Sequence, residues 1–349
     1  MSPPSSRRHV RSRRRRTASL VVVAGLVLGS ACSSGGGGGG RAGGGGGEVA
    51  EAGDGGAGPD GGAGRDGQSS TGDATTTSTA PPTTTTTAPQ ELPGGGREIF
   101  PGHRVVAYYG NSESAAMGVL GETPPDQAAP RLAAAAQPFS QPDKPVLGAF
   151  ELIVSVAQAS AGPDGDFSEP TPPEQVLAWL EAARAANVLL ILDIQPGRSS
   201  FVDAVKPYRD FLREPDVSLA LDPEWRMGPT EVPGRTIGSV DVAEINEVSA
   251  WLSDIVQKDN LPQKLFIVHQ FTTSMIANRP ALANPPGLAT VIHIDGFGTR
   301  NVKLEKYNAL KVAPPFYNAL KLFYDEDTNI FSPAEVLALP DPPDLISYQ

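Results

Sequence analysis

From about residue 99 onward the chain predicts an α/β fold, a (β/α)₈ TIM-type barrel. Three observations carry that prediction. Eight short apolar, β-branched runs recur over about 250 residues, a span that suits eight strand–helix units. Helical patterns lie between the runs, as buried parallel strands require. No Gly-rich phosphate fingerprint follows the first run, only "YYGNSESAAMG", so an open dinucleotide-binding sheet has no support.

The eight runs are "RVVAYYG" (104–110), "VLGAFELIVSVA" (146–157), "VLLILDI" (188–194), "VSLALDP" (217–223), "KLFIVHQF" (264–271), "ATVIHIDGF" (289–297), "LKLFYD" (320–325) and "LISYQ" (345–349). The last is expected to close against the first. Pro172 to Asn187 reads as a helix with prolines at its entrance and Val176, Leu177, Leu180 and Ala183 on one face. Asp241 to Asn260 follows, with Asp241 suited to N-capping and Ile245, Val248, Leu252, Ile255 and Val256 at helical spacing. "SPAEVLALP" starts a helix with Ser332 as cap and Pro333 at the first position. The helix after the fifth run is the weakest, since Pro280, Pro285 and Pro286 interrupt it.

The first third has another character. Residues 1–31 read as a lipoprotein-type signal peptide: an arginine-rich start, an apolar stretch between Leu20 and Ala31 too short to span a bilayer, then small residues. Leu28 to Cys32 resembles a bacterial lipobox, although Gly29 stands where Leu is usual. Cys32 is the only cysteine, which removes any disulfide role and leaves lipid attachment as its expected one. Residues 32–98 form a Gly-rich and then Thr/Pro-rich stretch with too few large apolar residues to offset ordering entropy, so a disordered tether is expected. The chain carries −11 overall, and all seven arginines of the signal precede any acidic residue. From Cys32 onward 21 basic residues face 39 acidic ones, a net −18. Such a balance opposes binding to a phosphate backbone, so nucleic acid is excluded as a partner. The expected location is the outer face of the cell membrane, held by the lipid on Cys32.

Barrel enzymes work at the C-terminal ends of their strands. Here those ends deliver Tyr108, Glu151, Asp193 with Gln195, Asp222 with Glu224 and Trp225, His269, His293 with Asp295, Asp325, and Tyr348. A single polar residue at a strand end is usually only the exit from the core. Several converging on one rim form a candidate site. Asp222 and Glu224 are the candidate catalytic pair, spaced to share a strand face if the strand continues through Pro223. Two neighbouring carboxylates split their pKa values, which supplies the acid and the charged partner that glycosidic cleavage needs. Asp193, Gln195, His269, Asp295, Asp325, Glu151, Tyr108, Tyr348 and Trp225 are the candidate substrate contacts, the aromatic ones as faces for sugar rings.

The Asp222-x-Glu224 pair at the end of the fourth strand resembles that of barrel glycosidases of the chitinase and Chalaropsis-type muramidase families. The longer chitinase pattern would need Asp at 217 and 220, where Val217 and Ala220 stand, and the muramidase Asp of the first strand is replaced by Val105 and Val106. The phrases "LLILDIQPGRSSFVDAVKPY", "LPQKLFIVHQFT" and "KLFYDEDTNIFSPAEVLAL" are similar to exported lipoproteins of high-GC Gram-positive bacteria. That likeness implies anchoring and a barrel, and no reaction.

The leading expectation is a lipid-anchored glycoside hydrolase acting on envelope or environmental polysaccharide. Its partners would be a carbohydrate or other small polar ligand and the membrane. No cofactor and no metal are expected, because no H-x-H or H-x-x-x-H spacing occurs. Two alternatives remain: a non-catalytic glycan- or ligand-binding lipoprotein, and a metal-dependent hydrolase drawing on His269, His293, Asp295, Asp193 and Asp222.

Overall fold

The computed structural model describes residues 90–349. The signal peptide, Cys32 and most of the tether lie outside the described residues. Eight strands form the barrel: β1 (Arg104–Gly110), β2 (Val146–Ala157), β3 (Leu189–Ile194), β4 (Val217–Leu221), β5 (Lys264–Gln270), β6 (Leu288–Ile294), β7 (Tyr317–Leu322) and β8 (Leu345–Tyr348). Each pairs in parallel with its neighbours, and β8 pairs with both β7 and β1. β1 also pairs with β2, so the sheet closes. The chain is a TIM-type (β/α)₈ barrel, as its periodicity predicts.

Helices α1 (Pro125–Ala136), α2 (Pro173–Ala186), α3 (Phe201–Val205), α4 (Arg209–Leu212), α5 (Val242–Lys258), α6 (Arg300–Leu310) and α7 (Pro333–Leu337) surround it. Between β5 and β6 the helical elements are two 3₁₀ turns, Thr273–Met275 and Arg279–Ala281, where proline removes helical donors, and a two-residue strand Ile276–Ala277 between them pairs with Val240–Asp241. Asp241 caps α5 by accepting from the Ala243 amide at 2.9 Å, and its five apolar stripe residues are buried. Ser332 and Glu335 form a capping box at α7, with Pro333 in the first turn. In α2 the buried stripe is Val176, Trp179, Leu180 and Ala183. Leu177, expected in it, is 46% exposed, because the stripe follows Trp179 to an edge-on contact with Phe150 at 5.1 Å.

Strand alternation divides the side chains into two sets. Even-numbered residues of β1, such as Val106 and Tyr108, face the helices, while Val105 and Ala107 face the barrel axis. Small and branched residues fill the axis: Ala107, Ala149, Ile191, Ala220, Ile267 and Val291. Below them Leu92, Ile99 and Phe100 close the N-terminal end, with Phe100 against Tyr317 at 4.5 Å between ring centres. Contacts therefore begin within residues 90–98; Arg97 also donates to the Leu261 carbonyl at 2.9 Å. One glycine is required on geometric grounds. Gly197, just past β3, has φ +61°, and a Cβ there would sit 2.1 Å from the Asp166 carbonyl oxygen.

Phe100→Ala should destabilise the barrel by about 3–5 kcal/mol, since it empties the plug under the axis. Urea denaturation monitored by circular dichroism checks this, and a loss below about 1 kcal/mol would contradict a packed floor.

Candidate active site in the barrel mouth

Alternation that places alanine and isoleucine on the axis places polar residues above them. Tyr109, Glu151, Asp193, His269, His293 and Lys321 continue the inward-facing positions of their strands, and all six are buried. Asp222 follows β4 and Asp295 follows β6, also buried. Carboxylates in such surroundings must find partners, and the partners are mostly one another.

His269 is the centre. Its Nδ1 lies 2.9 Å from Asp295 Oδ2 and its Nε2 3.0 Å from Glu151 Oε1. Both ring nitrogens face carboxylates, so both donate, and His269 is the doubly protonated imidazolium. Burial works against that charge, but Asp222, Asp295 and Glu151 outweigh it and hold its pKa well above the usual histidine value. His293 behaves in the opposite way. Burial first, and then the charge of His269, lower it to about 4, so it is neutral. Its Nε2 pairs with Ser347 Oγ at 2.7 Å; with the ring's one proton on Nε2, the Nδ1 lone pair faces the protonated His269 Nε2 at 3.2 Å.

The acids divide in the same way. Burial would raise Glu151, but His293 and His269 beside it bring it well below the usual carboxylate range. Asp295 is lowered too, since the His269 hydrogen bond overrides its burial. Asp193 is pushed up to about 8, by burial first, with Asp222 and Glu151 adding to it against His269. The Tyr109 hydroxyl donates to Asp193 Oδ2 at 3.0 Å, and Lys321 Nζ lies 3.3 Å from the centre of the Tyr109 ring. Asp222 is raised far above the carboxylate range by burial and by Glu224. Glu224 rises to about 7 through burial, with Asp295 adding to it. As a residue Glu224 is partly exposed, which Asp222 is not.

Asp222 and Glu224 do not share a strand face. β4 ends at Leu221, and Pro223–Trp225 turns into a 3₁₀ helix, because proline cannot donate to the next strand's ladder. The turn is pinned on both sides. The Asp222 amide donates to the Ile194 carbonyl at 3.1 Å, and Gly238 N donates to Glu224 O at 2.7 Å. Arg226 forks onto Glu244 of α5 at 2.9 and 3.2 Å. Glu224 is thereby swung to the solvent side of the cluster and Asp222 left beneath it.

Of the expected contacts, Asp193, Glu151, His269 and Asp295 converge with Asp222. Gln195 lies beside them, its Oε1 accepting from Ala157 N at 3.1 Å and its Nε2 3.5 Å from the Tyr109 hydroxyl. Trp225 is partly exposed on the Glu224 turn. Three residues are elsewhere. Tyr108 faces the helices, donating to the Arg131 carbonyl at 3.0 Å, and Tyr348 stacks on Tyr324 at 5.1 Å in the same outer layer. Both lie one residue out of phase with the axis. Asp325 is exposed beyond β7; the buried acid there is Asp327, paired with Lys303 at 2.9 Å. Tyr109, His293, Lys321 and Ser347 belong to the cluster without having been singled out as contacts. The signal for them was phase: Tyr109, Lys321 and Ser347 lie two residues beyond Ala107, Ala319 and Leu345, and His293 two beyond Val291.

No protein-family model matches the chain. No curated protein matches it either. Solved structures with some likeness include a GH5-4 broad-specificity endoglucanase from an uncultured bacterium, at 8% identity and TM-score 0.34, covering 64% of this chain and 76% of that one. Another is the dihydropteroate synthase of Burkholderia cenocepacia complexed with 7,8-dihydropteroate, at 13% identity and TM-score 0.32, covering 70% and 86%. Likeness at this level says nothing about activity. The closed strand pairing of the chain itself establishes the barrel.

Asp193 carries a testable pH signature. Its folded pKa, about 8, exceeds the ordinary value of 3.8, so the folded state binds the proton more tightly. Its contribution is fully present below about pH 4 and is lost as pH rises through about 8. Asp193→Asn lacks that loss. Its stability relative to the parent should improve steadily from pH 4 to 8 and level off above, as followed by urea midpoints across that range. A difference independent of pH would rule out a protonated Asp193.

Proposed function

We propose that the barrel mouth is a carboxylate acid/base site of the glycoside hydrolase kind, acting on envelope or environmental polysaccharide. One observation carries the reading. Glu224, the partly exposed acid of the cluster, is held near pKa 7, while Asp295 beside it is kept ionised by His269. Environments that push two carboxyl groups apart in this way assign an acid and a charged partner.

In this reading the Glu224 carboxyl gives its proton to the glycosidic oxygen as the carbon–oxygen bond breaks, and the alcohol departs neutral. The Asp295 carboxylate faces the positive charge that grows on the sugar ring; a water then bonds the anomeric carbon and gives a proton to the Glu224 carboxylate, which restores the acid. Asp222, raised by burial and by Glu224, positions Glu224 rather than acting as the ionised partner. Trp225 offers an apolar face to a sugar ring, and Asp193, Gln195 and Lys321 stand behind as fixed polar groups. A second reading, a non-catalytic glycan-binding barrel, draws on how closed the cluster is: Glu151, His269 and His293 have no exposed surface.

The export reading belongs here too. Among the described residues no helix is long and apolar enough to cross a membrane. The short apolar stretch before Cys32 and the lack of any other cysteine support a lipid on Cys32 as the anchor. Cys32→Ala should move the protein from the membrane fraction to the medium in a bacterial host with lipoprotein processing. Retention on the membrane would dismiss the anchor.

A glycan panel with mass-spectrometric product analysis separates the two readings of the mouth. Cleavage should be seen with the parent chain and fall about 10²–10⁴-fold in Glu224→Gln. The parent rate should decline as pH rises through about 7, because the deprotonated acid has no proton to give. Undiminished cleavage by Glu224→Gln removes the acid assignment; binding without any cleavage favours the second reading.

A further inference from the structure

Beneath the acid turn, three ligand-type atoms surround one point: Glu151 Oε1 and His293 Nδ1 with lone pairs, and His269 Nε2 with a proton that a bound cation would displace. Glu151 Oε1 lies 3.0 Å from His269 Nε2 and 3.6 Å from His293 Nδ1, and the two imidazole nitrogens are 3.2 Å apart. Hydrogen bonding accounts for part of this arrangement only. His269 Nε2 holds at most one proton, which cannot point squarely at both Glu151 and His293. The Glu151 oxygen and the His293 nitrogen are left facing one another. A tetrahedral ion bound at about 2.0–2.2 Å to imidazole and carboxylate keeps its ligands roughly 3.3–3.5 Å apart. The three separations bracket that spacing.

Two further observations point the same way. The far nitrogen of each histidine is anchored: His269 Nδ1 on Asp295 Oδ2 at 2.9 Å, and His293 Nε2 on Ser347 Oγ at 2.7 Å. Such outer hydrogen bonds set the tautomer and ring orientation of metal-binding histidines. In addition, Glu151 Oε2 and Asp193 Oδ1 are buried without a partner, and Asp193 Oδ1 lies 3.9 Å from His269 Nε2. Orphaned carboxylate oxygens in a dry site are costly, and a cation would relieve them.

We propose that Glu151, His269 and His293 form a binding site for one divalent transition ion of the zinc kind, with Asp193 on its open side. Two imidazoles and a carboxylate suit zinc or its transition-series neighbours, whereas magnesium and calcium prefer oxygen ligands alone. The site departs from the sequence-based expectation of no metal. It is separate from the acid/base reading of Glu224 and does not rest on it.

The test uses the full chain, stripped with a chelator, then titrated with zinc chloride by calorimetry and with cobalt(II) chloride by visible absorption. One equivalent should bind, with cobalt bands of a nitrogen/oxygen site, and excess magnesium chloride should not compete. Glu151→Gln and His293→Asn should each weaken zinc binding at least 100-fold. Asp295→Asn should weaken it about 10–100-fold through His269. Asp325→Asn, on the exposed turn, should bind as the parent does. Circular dichroism shows which variants fold. Should the buried substitutions unfold the barrel, X-ray absorption on the zinc-loaded parent decides, because imidazole scattering from two histidines is then required. No stoichiometric binding by the parent, undiminished binding in folded Glu151→Gln, or a zinc shell without imidazole each overturns the site. Glycan cleavage is measured on the same samples, so either assignment can fail alone.

Discussion

His269 is the constraint on which the interior depends. An imidazole at the centre of a closed barrel, with no exposed surface, spans Asp295 and Glu151 through its two nitrogens. A positive charge there makes two buried carboxylates tolerable, and those carboxylates in turn make the charge tolerable. That charge pulls down every acid of the mouth, whatever burial does to each. His293 is neutral because a cation already stands beside it. Burial dominates Asp193 and Asp222 and raises both, with neighbouring carboxylates adding to it against the pull of His269. A lone substitution at the centre would leave an uncompensated charge, which costs more than the contact itself.

Below the cluster the barrel is an ordinary apolar core. Alanine and branched residues fill the axis, and Leu92, Ile99 and Phe100 close the floor. That division makes the mouth rigid. Side chains emerging from strands packed on both faces have little freedom, and the turn carrying Glu224 is tied to β3 and to α5. Acid chemistry benefits from such fixation, because a proton donor must keep its position while charge develops nearby. The same rigidity serves a metal site, where ligand spacing decides affinity.

The cluster has two levels. Glu224 and Trp225 sit at the solvent side on a turn, while Glu151, His269 and His293 sit on strands with no exposed surface. The upper level accounts for the carboxylate chemistry that the Asp222-x-Glu224 spacing suggests. The lower level has histidine ligands held from behind by Asp295 and Ser347, which acid/base chemistry at Glu224 does not require. Asp295 belongs to both, since it lies beside Glu224 in charge and beside His269 in contact.

Strand positions, barrel class, the capped helices α5 and α7 and the polar rim were legible in the sequence, because each rests on local periodicity or on a side chain capping its own backbone. Sequence also named most of the carboxylates and histidines of the mouth. It could not separate Tyr108 from Tyr109, or Tyr348 from Ser347, since alternation tells that neighbours face opposite ways but not which way is in. Nor could it tell that Pro223 ends β4 and lifts Glu224 off the strand, or that Lys321 enters the mouth from β7. Those outcomes depend on closure of the sheet. Only when β8 pairs with β1 do eight strand phases become one inside, and side chains more than a hundred residues apart, such as Glu151 and His269, come within a hydrogen bond of each other.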